Sequence, residues 1–227
     1  MADRAVGIPI VREGLPFVAG LGGSAALAGL LGWTSPALVL GGLTLFTGWF
    51  FRNPRRVVPC LEGAVVSPGD GKIIAIEEDY EPRYLKEQAT RISIFLNIFD
   101  VHVNRIPCAG VVENVVYQPG RFIAANRSEA TLRNEQNALM LRTVGGAKVL
   151  CVQVAGLLAR RIICWVSSGE KVMCGERFGL IRFGSRMDLF LPQGTSLHGV
   201  KVGDHVKGGE SLLAVLPDRR ASCAERS

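Results

Sequence analysis

The sequence predicts a mainly β, α+β protein, with a β-rich catalytic body of barrel-sandwich-like character behind an N-terminal apolar helical hairpin. Three observations carry that expectation. Residues 15–51 form a run of 37 without a formal charge. Beyond Pro54 and Pro59 the chain breaks into short apolar runs bounded by Gly, Pro and Asp. In that second part, helical periodicity of more than three turns is hard to find. With 227 residues and 48% hydrophobic content the chain can bury a core, which excludes disorder as its main state.

The apolar run is interrupted at Trp33-Thr34-Ser35-Pro36, so it reads as two segments joined by a turn. Each holds about 16 to 18 residues against roughly 20 for an untilted crossing, a length that suits a tight spanning hairpin and a shallow re-entrant pair equally. Arg4 and Arg12 precede the run and Arg52, Arg55 and Arg56 follow it, which places both ends on the cytoplasmic side. The three following arginines either hold an anionic lipid surface or act only as topology signals. A cleaved leader ending near Ala26-Leu27-Ala28 is the alternative, but apolar character well past that point favours a retained anchor. Residues 1–56 are thus expected to be the membrane-associating part and residues 57–227 the body.

Within the body, residues 71–76, 91–99, 110–117, 138–143, 147–154 and 161–166 read as strands, and residues 81–88 as a short helix. Ser67-Pro68-Gly69-Asp70-Gly71 and the segment 202–210, V-G-D-H-V-K-G-G-E, have the look of turns leading into strands. The second resembles a turn of lipoyl- or biotinyl-type barrels, although no lysine stands at a hairpin tip to act as a carrier arm.

The balance of 26 Lys+Arg against 20 Asp+Glu gives a net charge of +6. No basic run is interleaved with stacking aromatics, so nucleic acid is not an expected partner and an anionic membrane surface is the better one. The six cysteines form no C-x-x-C pair and the three histidines are scattered, so no metal site is expected. The cysteines read as reduced, mostly buried thiols of a cytosol-facing protein.

Four features can carry chemistry: Asp70, His102 in F-D-V-H-V-N-R-I-P, Asn134-Glu135, and Gly184-Ser185. The last has the least ordinary setting, because strand-like segments 178–183 and 187–191 run up to it from both sides. Glycine there permits a backbone that a Cβ would forbid and opens the Gly184 carbonyl to the hydroxyl of the next residue. A serine nucleophile needs a base, and His102 oriented by Asp70 would supply one.

These residues, with Y-Q-P-G-R-F, R-N-E and F-G-L-I-R-F-G-S-R-M-D-L-F-L-P in the same order, resemble phosphatidylserine decarboxylase of the short, bacterial and archaeal type. The resemblance covers nearly the whole chain. It implies a proenzyme that cuts itself between Gly184 and Ser185, giving a β chain of residues 1–184 and an α chain of residues 185–227 that stay together as a heterodimer. It further implies that Ser185 becomes a covalent pyruvoyl group, which takes the amine of phosphatidylserine as a Schiff base and acts as an electron sink for loss of carbon dioxide. His102 is expected to provide both base and acid, with Asp70 holding or polarising it. Long-type members tend to carry a second histidine where this chain has Arg105, and threonine where it has Arg186. A cell-membrane location with the body facing the cytoplasm follows, and a higher oligomer is left open. The rival reading is a membrane-anchored serine hydrolase of signal-peptidase-like design, in which Ser185 stays serine.

Overall fold

The charge-free run folds as two helices, α1 (Leu15–Leu30) and α2 (Thr34–Phe50). Pro16 sits in the first turn of α1, where its missing N–H is not needed. The chain reverses at Leu31-Gly32-Trp33, with Gly32 at φ +76° and the Trp33 amide bonded back to the Ala28 carbonyl at 2.9 Å. Thr34, Ser35 and Pro36, which the sequence places in the break, instead form the first turn of α2. At 1.5 Å per residue, the 16 and 17 residues of these helices reach about 24–26 Å. Among the described residues no helix is long and apolar enough to cross a membrane. Leu30, Leu38 and Leu45 are exposed, while Thr44 and Thr47 turn their hydroxyls back onto the Leu40 and Leu43 carbonyls at 2.7 Å.

The computed structural model describes residues 9–120, 134–156, 161–182 and 184–216. It divides into two compact units, Met1–Arg55 and Arg56–Ser227.

The second unit is built from strands β1 (Ala64–Val66), β2 (Gly71–Glu81), β3 (Glu87–Leu96), β4 (Val103–Arg105), β5 (Gly110–Gln118), β6 (Gln136–Thr143), β7 (Lys148–Val154), β8 (Ile162–Cys164), β9 (Lys171–Val172), β10 (Arg177–Ile181), β11 (Ser185–Pro192), β12 (His205–Val206) and β13 (Leu212–Val215). Eight of them form one antiparallel sheet in the order β12-β2-β3-β11-β7-β6-β5-β9. A three-stranded sheet, β4-β10-β8, and a two-stranded one, β1-β13, complete the unit. Side chains of β3, β7 and β11 alternate between two cores. Ile92, Ile94, Cys151, Met187 and Leu189 point into the larger one, together with Phe178 and Ile181 of β10 and Leu213 of β13. Leu150, Val152, Val154 and Phe190 point into a smaller core on the other face.

The short helix expected over residues 81–88 is absent. Glu81 ends β2 and Glu87 begins β3, so the segment is the connection of a hairpin. The Glu81 carboxylate accepts the amides of Arg83, Tyr84 and Leu85 at 3.0, 2.6 and 2.6 Å, and this local capping replaces helical bonds. Lys86 then takes a positive φ of 56°, which a continuing helix does not allow.

Candidate active site

β10 and β11 belong to different sheets, so the segment 182–184 carries the chain from the small sheet to the large one. Gly184 makes that passage at φ +64°, in the left-handed region. A Cβ there would meet no atom within 4 Å, so the position demands glycine for its backbone conformation and not for space. Ser185 then enters β11 opposite Leu96 of β3, on the same face as Met187. Its side chain is 0% exposed, and its Oγ has no hydrogen-bond partner among the described residues. A buried polar atom left unmatched in this way costs about 1–3 kcal/mol.

His102 precedes β4, and its carbonyl accepts the Ile181 amide at 3.4 Å, so the imidazole leaves the chain opposite the end of β10, three residues before Gly184. The ring is 0% exposed, with Nδ1 3.0 Å from the Asp100 carbonyl oxygen. A carbonyl only accepts, so Nδ1 carries the proton and Nε2 is the basic nitrogen of the neutral ring.

Asp70 is placed differently from the orienting role that the sequence suggests. Its Oδ2 binds Arg56 Nη2 at 2.6 Å and its Oδ1 accepts the Gly208 amide at 2.7 Å, so the carboxylate is held by these two groups and His102 is held by the Asp100 carbonyl. Arg56 also reaches Glu210 at 3.1 Å. The two glycine-rich turns singled out in the sequence therefore pack on each other, and the Ser67–Ser211 and Gly209–Ser67 backbone bonds at 2.9 and 2.8 Å complete the contact.

This arrangement corrects the expectation that Arg52, Arg55 and Arg56 act alike. The Arg56 side chain is only 7% exposed and spends its charge on Asp70 and Glu210. Arg52 lies over the Trp49 ring at 3.9 Å and donates to the Trp49 carbonyl, while Arg55 is exposed.

Arg105 donates to the Gly175 carbonyl at 3.0 Å. Burial, reinforced by the neighbouring Arg56 and Arg177, lowers its pKa to about 10. A guanidinium with that value still carries its proton at neutral pH. Asn134 donates to the Ala155 carbonyl at 2.7 Å, and the Glu135 carbonyl accepts the Ala155 amide at 2.9 Å, so this pair clips the entry of β6 to the end of β7. Residues 121–133, Phe183 and Cys223, which include parts of the quoted motifs, lie outside the described residues. The five described cysteines are free thiols, and burial pushes Cys108 up to about 12 and Cys174 up to about 11, which makes both unreactive.

One part of the site escapes a sequence reading. Gln153 of β7 donates to Asn104 Oδ1 at 2.8 Å and accepts from Asn137 Nδ2 at 2.9 Å, and all three side chains are buried. The available signal is Gln153 itself, a lone polar residue inside the apolar stretch V-L-C-V-Q-V.

Comparison with known proteins identifies the family. The family model described as phosphatidylserine decarboxylase matches residues 43–214. The phosphatidylserine decarboxylase proenzyme of Syntrophus aciditrophicus is 48% identical over 205 residues, covering 90% of this chain and 96% of that protein. The proenzyme of the same name from Nitrosomonas europaea is 47% identical over 205 residues, covering 90% and 94%, and that of Desulfotalea psychrophila is 46% identical over 210 residues, covering 91% and 96%. On the strength of a match that spans both the strands of the body and the Gly184-Ser185 passage, the chain belongs to the phosphatidylserine decarboxylase family.

Proposed function

We propose that the chain is made as a precursor that cuts itself between Gly184 and Ser185 and then decarboxylates phosphatidylserine to phosphatidylethanolamine. The observation that carries this reading is the pair formed by a left-handed Gly184 and a fully buried Ser185 whose Oγ is unmatched. An attack on the adjacent carbonyl needs no access from solvent, whereas a hydrolase acting on an outside substrate needs its serine exposed. The family match supports the decarboxylase reading over the hydrolase.

Ser185 Oγ attacks the Gly184 carbonyl and passes its proton to His102 Nε2. Asp70 acts at one remove, by fixing the turn 67–71 against residues 207–210. After the cut, β11 remains bonded between β3 and β7, β12 to β2 and β13 to β1, which keeps the α and β chains together. The buried, otherwise unengaged position of Ser185 fits a pyruvoyl group formed from that residue, a group that supplies an electron sink for the carbanion left by carbon dioxide. His102 is the chain's own proton donor for that carbon.

The exposed apolar helices support attachment to the bilayer in which the lipid resides, with the body on the cytoplasmic side. Their short length favours a shallow hairpin. Changing Ser185 to Ala should leave one full-length chain by intact mass, and a variant still cut at the same bond would assign the cut to an outside protease. Deleting residues 1–51 should move the protein from the membrane to the soluble fraction, and unchanged sedimentation with membranes would place the lipid-binding surface on the body.

A further inference from the structure

Ser185 Oγ is one buried neutral polar atom without a partner among the described residues, and Asn104 Nδ2 is another. Asn104 is 0% exposed. Its Oδ1 is occupied by Gln153 Nε2, whose own Oε1 is occupied by Asn137 Nδ2. Gln153 Nε2 also faces the Ile163 carbonyl at 3.5 Å, which sets the sense of Gln153 and through it that of Asn104, because turning Asn104 over would then bring two NH2 groups together. The Asn104 NH2 therefore points away from Gln153, with no acceptor among the described residues. Gly179, opposite Asn104 in β10, keeps the arrangement open, since a Cβ there would sit 2.8 Å from Gln153 Nε2.

Gln153 links the strand of the unmatched donor to that of the nucleophile, since it bonds Asn104 of β4 and pairs with β11. Gln153 stands opposite Met187 of β11, and Ser185 lies two residues earlier on the same face, about 7 Å along the strand. His102 immediately precedes β4, and Asn104 lies two residues further on, within that strand. When Ser185 Oγ bonds to the Gly184 carbonyl carbon, the carbonyl electron pair moves to oxygen and the hydroxyl proton moves to His102. Collapse of this adduct breaks the C–N bond, the proton goes to the Ser185 nitrogen, and an ester is left between Gly184 and Ser185. The oxygen anion in between needs a donor that is idle before the attack, because only an interaction made in the transition state raises the rate.

We infer that the Asn104 side-chain amide is the hydrogen-bond donor to the Gly184 oxyanion during self-cleavage, with Gln153 and Asn137 as the residues that position it. The inference rests on the proposed cut at Gly184-Ser185.

Precursor made by cell-free synthesis allows the cut to be followed in time on a gel. Asn104→Asp keeps the shape of the side chain and the acceptor toward Gln153 while replacing the donor, and Asn104→Ala removes both. Loss of a single oxyanion donor predicts processing slower by about 10² to 10³-fold in each. Hydroxylamine, which cleaves esters, should split the wild-type precursor at residue 184 and split the variants more slowly by the same factor, because the ester forms that much more slowly in them. The fold is checked by melting each variant in a Ser185→Ala background, and if Asn104→Ala fails to fold the isosteric Asp variant decides by itself. Wild-type processing rates in the Asp variant, or cleavage by hydroxylamine as fast as in the wild type, overturn the assignment. A wild-type precursor that stays whole overturns the self-cleavage reading beneath it.

Discussion

The two faces of β11 are equally buried and treat polar groups in opposite ways. On the face toward the larger core, Ser185 keeps its hydroxyl unmatched near an amide chain that also ends in an unmatched donor. On the other face Arg186 and Asp188 form an ion pair, with Nη2 donating to Oδ2 at 2.9 Å and Nε lying 2.9 Å from Oδ1, and side-chain exposures of 3% and 0%. Burial is the same, but one face holds a neutral hydroxyl without a hydrogen-bond partner among the described residues and the other holds an ion pair. Closing a polar pair serves stability, whereas an open hydrogen-bonding site inside a core is a cost the fold carries where a reaction will later use it.

The largest expected effect lies on the open face. His102→Ala should slow the cut by about 10² to 10⁴-fold, the usual range for a positioned general base. A gel for processing paired with carbon dioxide release from carboxyl-labelled phosphatidylserine separates its two duties. A variant that splits normally but decarboxylates poorly would confine His102 to the second reaction, and one that is both cleaved and fully active would remove it from the mechanism.

A smaller effect, on a different quantity, is expected from the closed face. Asp188→Ala removes the buried carboxylate that accepts from Arg186 Nη2 and should destabilise the folded precursor by about 3–5 kcal/mol, read from denaturant melts in a Ser185→Ala background. The double change Arg186→Met with Asp188→Leu should recover most of that loss, because an apolar pair of similar volume carries no desolvation penalty. With Ser185 present, the double variant should still split. If it folds as stably as the wild type but does not split, the ion pair belongs to the reaction and the contrast between the faces fails.

Much of the frame was legible in residue order. The charge-free run appears as α1 and α2, and five of the expected strands appear as β2, β3, β5, β6 and β7, each within a few residues of its expected ends. The sixth, over residues 161–166, shortens to β8 at Ile162–Cys164. Glycine before Ser185 also announced a special backbone, since a residue type with no Cβ signals its own conformation. The hairpin loop at Glu81–Glu87 was misread because its charged residues suit a helix surface as well as a carboxylate-capped turn.

Sequence by itself determined what depends on neighbours along the chain: the apolar hairpin, the alternation of β11 that sends Ser185 and Arg186 to opposite faces, and the special backbone of Gly184. Tertiary structure decided every pairing between distant residues. Arg56 and Glu210 are 154 residues apart, and Asn104 and Gln153 are 49 apart. Those partners exist only because β11 inserts between β3 and β7 and β4 pairs with β10, so the register of non-consecutive strands selects which buried polar atoms are satisfied and which are left open. Residue type states what a side chain can bond to, but the free energy of leaving it unbonded is set by the low-dielectric surroundings that only the packed fold creates.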